Sequence, residues 1–315
     1  MWERRDSLRK AFGEVLVELG EHHRDIVVLT ADLAGSTYTN LFAKRFPDRF
    51  FNLGITEANM MGIAAGLAMS GKKPFVSTFA IFAAGKPWEQ IRQTIAYQSA
   101  PVRIVATHAG ITVGEDGASH QMLEDINNMR VLPNMDVIVP ADAVETKQVI
   151  KTLVDYDNPV YVRLARAPFP VVFDDKYKFE FGKAQIIREG DDLTIFAIGL
   201  MVAQSLKAAE WLEKEGINAQ VVNVSTVKPI DKETIISCVS KTDAAVTAEE
   251  HLVTGGLGSA IAEVLAEGFP APLERIGLKE FGQSGSAEEL IAHYGLTPEG
   301  IAKAAIRALK RKESR

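Results

Sequence analysis

The 315 residues carry 35 Lys plus Arg against 41 Asp plus Glu, a formal net charge of −6, and are 47% hydrophobic and 24% charged. That length exceeds one ordinary core and predicts about two domains in a globular protein of normal composition, while the acidic balance argues against a nucleic-acid surface. The lone cysteine, Cys238, excludes an intrachain disulfide and a cysteine-based zinc site. The opening MWERRDSLRKAF has no apolar signal-peptide core, and no run of about 18 apolar residues occurs, so a cytoplasmic protein is the expectation. The basic residues Lys310, Arg311, Lys312 and Arg315 read as a solvated tail.

Taken in order, strand-like and helix-like segments alternate. Residues 6–20 place Leu8, Phe12, Val15, Leu16 and Leu19 at helical spacing, and 26–29 is a short β-branched run followed by the loop TADLAGS. Phe50, Phe51 and Leu53 read as a strand end, and Gly54 supplies the turn. The helix from Ala58 onward is small and apolar (Ala64, Ala65, Gly66, Ala68) and so buried on most sides. Strands are expected at 74–77, 103–107, 137–139 and 160–164, with helices at 87–97 and 142–154. Short buried strands separated by helices predict a parallel α/β sheet covered on both faces.

Residues 167–189 carry prolines, charges and aromatics without helical periodicity and read as a linker between a domain at 1–166 and another at 190–315. The second domain has strands at 193–198, 219–224 and 244–247 and helices at 202–215, 232–240 and 258–267, a smaller α/β unit.

Three stretches carry candidate chemistry. Glu57 stands at the mouth of the small-residue helix, either as a first-turn acid favoured by the helix dipole or as a catalytic carboxylate. Phe79 and Phe82, three apart after a strand end, are core aromatics or a platform for a flat heterocycle. The Gly-rich loop THAGITVGEDGASHQ at 107–121 follows an apolar strand, where ligands bind in open α/β sheets. Its His108 and His120 bracket Glu115 and Asp116, an acid–base candidate. That spacing does not match a helical metal-ligand motif. GGLGSA at 255–260 lacks the third glycine of the dinucleotide fingerprint and reads better as a tight helix start than as a phosphate loop. Arg163 and Arg166 lie near a strand end, to meet an anion or make a surface ion pair.

These motifs carry a family resemblance. GITEANMMGIAAGLA resembles the region around the cofactor-activating glutamate of thiamine-diphosphate enzymes. STFAIF and THAGITVGEDGASHQ are similar to the next two blocks of transketolases, and FGQSGSAEELIAHYGLT to their C-terminal segment. The resemblance covers nearly the whole chain and points to the C-terminal section, or subunit, of a split transketolase. It implies a thiamine-diphosphate-binding fold: a pyrimidine-binding domain followed by a smaller transketolase C-terminal domain.

The resemblance also implies roles. Glu57 would hydrogen-bond N1′ of the aminopyrimidine and favour the imino tautomer that removes the thiazolium C2 proton, with Phe82 and Phe79 lining the pocket. A two-carbon ketol unit would then pass from a ketose phosphate to an aldose phosphate, as in the pentose phosphate pathway. His120 would handle protons of bound sugar, and Asp116 would contact a substrate hydroxyl. His108, Ser36, Arg5 and Arg166 would reach the far end, where transketolases hold a phosphate. Two positions depart from the family: Gly85 stands where an aromatic residue is frequent, and Val139, before Pro140, where arginine is.

The GDG signature of the diphosphate-binding domain, with its downstream asparagine, does not occur; GEDG at 114–117 is a different motif. The resemblance therefore implies that Mg2+ or a similar divalent metal reaches the cofactor through an N-terminal, diphosphate-binding partner subunit. The expected assembly is a heterotetramer, with a homodimer of this chain as its core. Competing readings are a deoxyxylulose-phosphate synthase-like enzyme, the β subunit of a 2-oxo-acid dehydrogenase, and a non-catalytic assembly subunit.

Overall fold

Two parallel sheets, each built from short apolar strands, organise the computed structural model, which describes residues 4–314. The first has seven strands in the order Thr226–Lys228, Asp136–Ile138, Val160–Arg163, Arg103–Ala106, Lys73–Ser77, Ile26–Thr30, Phe50–Asn52. All its pairings are parallel except that of Thr226–Lys228, which runs antiparallel to Asp136–Ile138. The second has five: Leu273–Leu278, Ala245–Leu252, Leu193–Ala197, Ala219–Asn223 and the antiparallel edge Gln185–Arg188. Strands Ile26–Thr30, Arg103–Ala106, Val160–Arg163 and Leu193–Ala197 are buried along their whole length, as strands covered by helices on both faces must be.

Local chemistry sets the helices. Ser7 caps Leu8–His22 by accepting from the Lys10 N–H at 3.3 Å, and Asp142 caps Ala143–Thr152 through the Glu145 N–H at 2.8 Å. The expected helix over 87–97 is two pieces, Trp88–Gln90 followed by a π-helical stretch Ile91–Ala96.

Several elements depart from the sequence reading. Within 167–189, Phe169–Pro170 pairs with Arg5–Asp6 and Gln185–Arg188 forms a sheet edge. The strand Thr226–Lys228 comes from the C-terminal half but completes the N-terminal sheet, so the two halves share a ladder, reinforced where the Val139 N–H donates to Ser225 O at 2.7 Å. Strand Leu273–Leu278 and helices Ala287–His293 and Pro298–Glu313 extend the second half. The basic tail is not free in solvent: Arg311 donates to Leu273 O and Glu274, and Lys312 to Thr242 O at 2.9 Å. Arg315 lies outside the described residues. No helix among them is long and apolar enough to cross a membrane.

Candidate functional site

In the first sheet, the chain leaves Ile26–Thr30 toward one edge (Phe50–Asn52) and returns on the other side to Lys73–Ser77. The crevice at the carboxyl ends of strands around such a reversal is where open α/β sheets bind ligands. Two strand ends converge there. Lys73–Ser77 runs into Phe79, and Arg103–Ala106 into Thr107 and His108, with a further parallel bridge between Phe79 and Thr107.

Four rings line up across these ends. The His108 imidazole stacks on Phe79 with centroids 3.7 Å apart. Phe79 and Phe82 are stacked at 6.0 Å and 13°, and His120 meets Phe82 edge-on at 5.7 Å. Phe79 is buried and Phe82 half-buried, so the pair offers an aromatic face as well as filling a core.

Glu57 opens helix Glu57–Met69, positioned by the tight turn at Gly54 (φ +70°) and the Thr56 hydroxyl bond to Leu53 O at 2.8 Å. Met60, Met61, Ala64, Ala65 and Ala68 face the core. Glu57 itself is only 4% exposed, and Lys86 Nζ reaches its Oε2 at 3.1 Å. Lys86 also lies over the Phe82 ring, 5.6 Å from its centroid. Carboxylate, ammonium and aromatic rows thus form one cluster.

At its far side His108 is buried, with a left-handed φ of +58° and a hydrogen bond between Nδ1 and the Thr107 hydroxyl at 2.8 Å. Burial, then the nearby cations Arg9 and Arg166, push its pKa down to about 3, so the ring is neutral at physiological pH. Any phosphate there takes its counter-charge from arginine. Arg9 donates to Ser36 O at 2.6 Å and Arg166 O at 2.9 Å, tying two of the expected far-end residues together. Its Nε is buried without a partner among the described residues, and burial lowers its pKa. Arg166 donates to Val113 O and, at 3.3 Å, to Glu115. Arg5 is exposed and donates to Pro168 O at 3.2 and 3.1 Å. Asp116 is exposed on the loop, and the Ser119 hydroxyl lies 3.0 Å from His120 Nδ1.

The C-terminal half holds the 107–121 loop in place. Glu250 accepts from the Thr112 N–H at 2.7 Å, Gln121 donates to Gln283 O at 2.9 Å, and Ser284 donates to Glu115 O. Gly110 (φ +83°) is required, because a Cβ there would run into the Glu250 carboxylate.

Arg163 corrects the sequence reading. It faces neither an anion site nor the surface but forms a buried pair with Asp125 at 2.9 Å, joined by the Tyr161 hydroxyl at 2.8 Å. The GGLGSA stretch is a helix start: the buried Glu249 carboxylate accepts from the Leu257 and Gly258 N–H groups at 2.7 and 2.8 Å, taking the place an anion would need. Val139 is buried against the second half. Gly85 ends helix Ala80–Ala84, with Ile81 O only 2.6 Å from where a Cβ would lie, and turns the chain so that Lys86 reaches Glu57. Arg9, Lys86 and Glu250 gave no signal in the sequence, since each matters only through a distant partner. No group of three or more His, Cys, Asp or Glu is placed to hold a metal among the described residues.

The family models for the transketolase pyrimidine-binding domain and the transketolase C-terminal domain match residues 6–170 and 182–301. The chain belongs to the transketolase family, whose members use thiamine diphosphate. It is 51% identical over 97% of both chains to a Methanocaldococcus jannaschii protein provisionally named a transketolase C-terminal section. It is 41% identical, over 98% of this chain and 96% of the other, to a 6-deoxy-6-sulfo-D-fructose transketolase subunit of a Clostridium species. Its match to the 1-deoxy-D-xylulose-5-phosphate synthase of Desulforudis audaxviator is 37% identical and spans 99% of this chain but 49% of the relative. Among solved structures, a split-gene transketolase described as an inactive β4 tetramer superposes with a TM-score of 0.90 at 49% identity, covering 97% of this chain and 99% of that one. A Pichia stipitis transketolase bound to sedoheptulose 7-phosphate gives a TM-score of 0.84 at 25% identity, covering 99% of this chain but 47% of that one.

Proposed function

We propose that the chain is the pyrimidine-binding and C-terminal subunit of a thiamine-diphosphate-dependent transketolase, moving a two-carbon ketol unit from a ketose to an aldose. The observation that carries this reading is Glu57, a carboxylate 4% exposed in the first turn of a small-residue helix, set beside the Phe82 face. A buried acid beside a flat apolar ring suits an aminopyrimidine, which needs a hydrogen-bond partner at a ring nitrogen and an aromatic wall. When bound, thiamine diphosphate supplies the electron sink for breaking a carbon–carbon bond beside a carbonyl.

The protein supplies placement and proton traffic. Glu57 holds a proton at the pyrimidine ring nitrogen, and Phe82 with Phe79 walls the ring. His120, half-buried beside Phe82, exchanges protons with sugar hydroxyls, and the exposed Asp116 accepts a hydrogen bond from one of them. Ser36, His108, Arg5 and Arg166 form the far end of the substrate site. His108 acts there as a neutral hydrogen-bonding group, and Arg166 with Arg9 provides positive charge.

The partner reading rests on the names of relatives of matching length and on one open surface. The chain spans about half of the full-length relatives it matches, 49% of the synthase and 47% of the Pichia enzyme. Relatives of matching length are named a transketolase C-terminal section and a split-gene transketolase, which supports assigning the diphosphate and its divalent metal, Mg2+ or similar, to a partner, the transketolase N-terminal subunit. On helix Glu57–Met69, Gly62 and Gly66 have open space on one side, and Ile63 and Met69 are exposed beside them. Nearby Ile55 is 72% exposed. Small residues one turn apart let a second backbone come close, which favours a heterotetramer around a core of two copies of this chain. We take the two functional units as 1–166 and 190–315, joined by 167–189, and the setting as cytoplasmic carbohydrate metabolism.

A donor panel on the chain reconstituted with an N-terminal subunit tests the reaction. Ketose phosphates and a sulfonated ketose should yield two-carbon transfer to an aldose acceptor. Consumption of pyruvate instead, with release of carbon dioxide, would assign a synthase- or dehydrogenase-type activity.

A further inference from the structure

Lys86 satisfies the two features that the proposed site offers its cofactor. Its Nζ lies 3.1 Å from Glu57 Oε2 and 5.6 Å from the centre of the Phe82 ring, so one ammonium engages both the buried acid and the aromatic face. An aminopyrimidine hydrogen-bonded to Glu57 and laid against Phe82 would draw on the same two groups.

The side chains differ sharply in setting: that of Lys86 is 57% exposed and that of Glu57 4%. Lys86 is a flexible stem rooted in solvent with its head reaching inward, free to swing out once another group pairs with Glu57. Glu57 cannot move away, and a buried carboxylate left without a partner is costly. Gly85 makes the reach geometrically available, because the helix Ala80–Ala84 ends there with no room for a Cβ against Ile81 O.

We propose that Lys86 is a positioning residue that occupies the aminopyrimidine site and keeps the Glu57 carboxylate paired, and that the cofactor enters by displacing it. This rests on the reading of Glu57 and Phe82 as the aminopyrimidine end of a thiamine site, and deepens it. The exchange trades one partner of the carboxylate for another, so the acid is never left bare. It also makes the apparent affinity for cofactor lower than the intrinsic one, by the fraction of molecules in which Lys86 is already out.

The test is equilibrium dialysis of thiamine diphosphate against the chain reconstituted with an N-terminal subunit and Mg2+, comparing wild type with Lys86→Met, Lys86→Gln and Lys86→Arg. Lys86→Met and Lys86→Gln should bind about 3- to 10-fold more tightly than wild type, and Lys86→Arg should bind like wild type. The gap between wild type and Lys86→Met should narrow as salt is raised, because salt screens the half-exposed pair. A merely structural lysine would weaken binding when removed and show no such gap. Equal or weaker binding by the Met and Gln variants, with the proteins folded, overturns the displacement. Failure of all four reconstituted complexes to bind up to millimolar cofactor overturns the cofactor reading itself, and the inference falls with it.

Discussion

His108 and His120 bracket one loop but meet different surroundings. His108 is buried, hydrogen-bonded to Thr107 and stacked on Phe79, while His120 is half-buried at the edge of Phe82. On the proposed reading, replacing His120 with Ala removes proton handling, and turnover should fall by about a hundredfold or more. On the same reading His108→Ala removes binding shared by ground and transition states, and it should mainly raise KM for phosphorylated substrates. Steady-state kinetics on both variants would contradict this division if each lost turnover with KM intact. The depressed His108 pKa, about 3 against the ordinary 6.5, has a stability consequence with a definite sign. Below about pH 6.5 the unfolded chain takes up a proton that the native ring refuses, so stability falls as pH drops toward 3. Between pH 6.5 and 4.5 wild type should lose about 2 kcal/mol more than His108→Gln, read from urea midpoints at the two pH values. Equal losses would mean that the ring is not held neutral. Glu57, Phe79, Phe82, His108 and His120 were legible because each stands in a short motif at a strand end or helix mouth. Arg9 and Lys86 were not: Arg9 reads as one polar residue on an amphipathic helix, and its bonds to Ser36 O and Arg166 O span 27 and 157 residues.

At the level of elements, buried runs such as Ile26–Thr30 and Val160–Arg163 announced themselves by composition and came out as central parallel strands. Thr226–Lys228 did not, because three residues carry no period and its partner strand lies in the other half of the chain. The helix Leu257–Gly268 bears out the reading of GGLGSA as a tight helix start rather than a phosphate loop. Its first N–H groups are taken by Glu249, whose pKa burial raises to about 7, and Gly256 is needed because a Cβ would strike that carboxylate. Glu249→Ala leaves two buried N–H donors without a partner and should destabilise the protein by about 2–4 kcal/mol. Thermal unfolding would contradict the capping role if the variant melted with wild type.

At the scale of the whole molecule, the chain presents an acid, an aromatic row and the 107–121 loop, with its C-terminal half fastening that loop through Glu250, Gln283 and Ser284. These suit one end of an extended cofactor, and the diphosphate end is assigned to a partner. The central claim is therefore that Glu57 activates thiamine diphosphate in a site shared between two subunits. The most direct measurement is the rate of hydrogen–deuterium exchange at thiamine C2, followed with this chain alone, with the chain plus an N-terminal subunit and Mg2+, and with Glu57→Gln in the same complex. Fast exchange should appear only in the wild-type complex. Equally fast exchange with the chain alone would contradict the shared site, and an unchanged rate in the Glu57→Gln complex would contradict the role of Glu57.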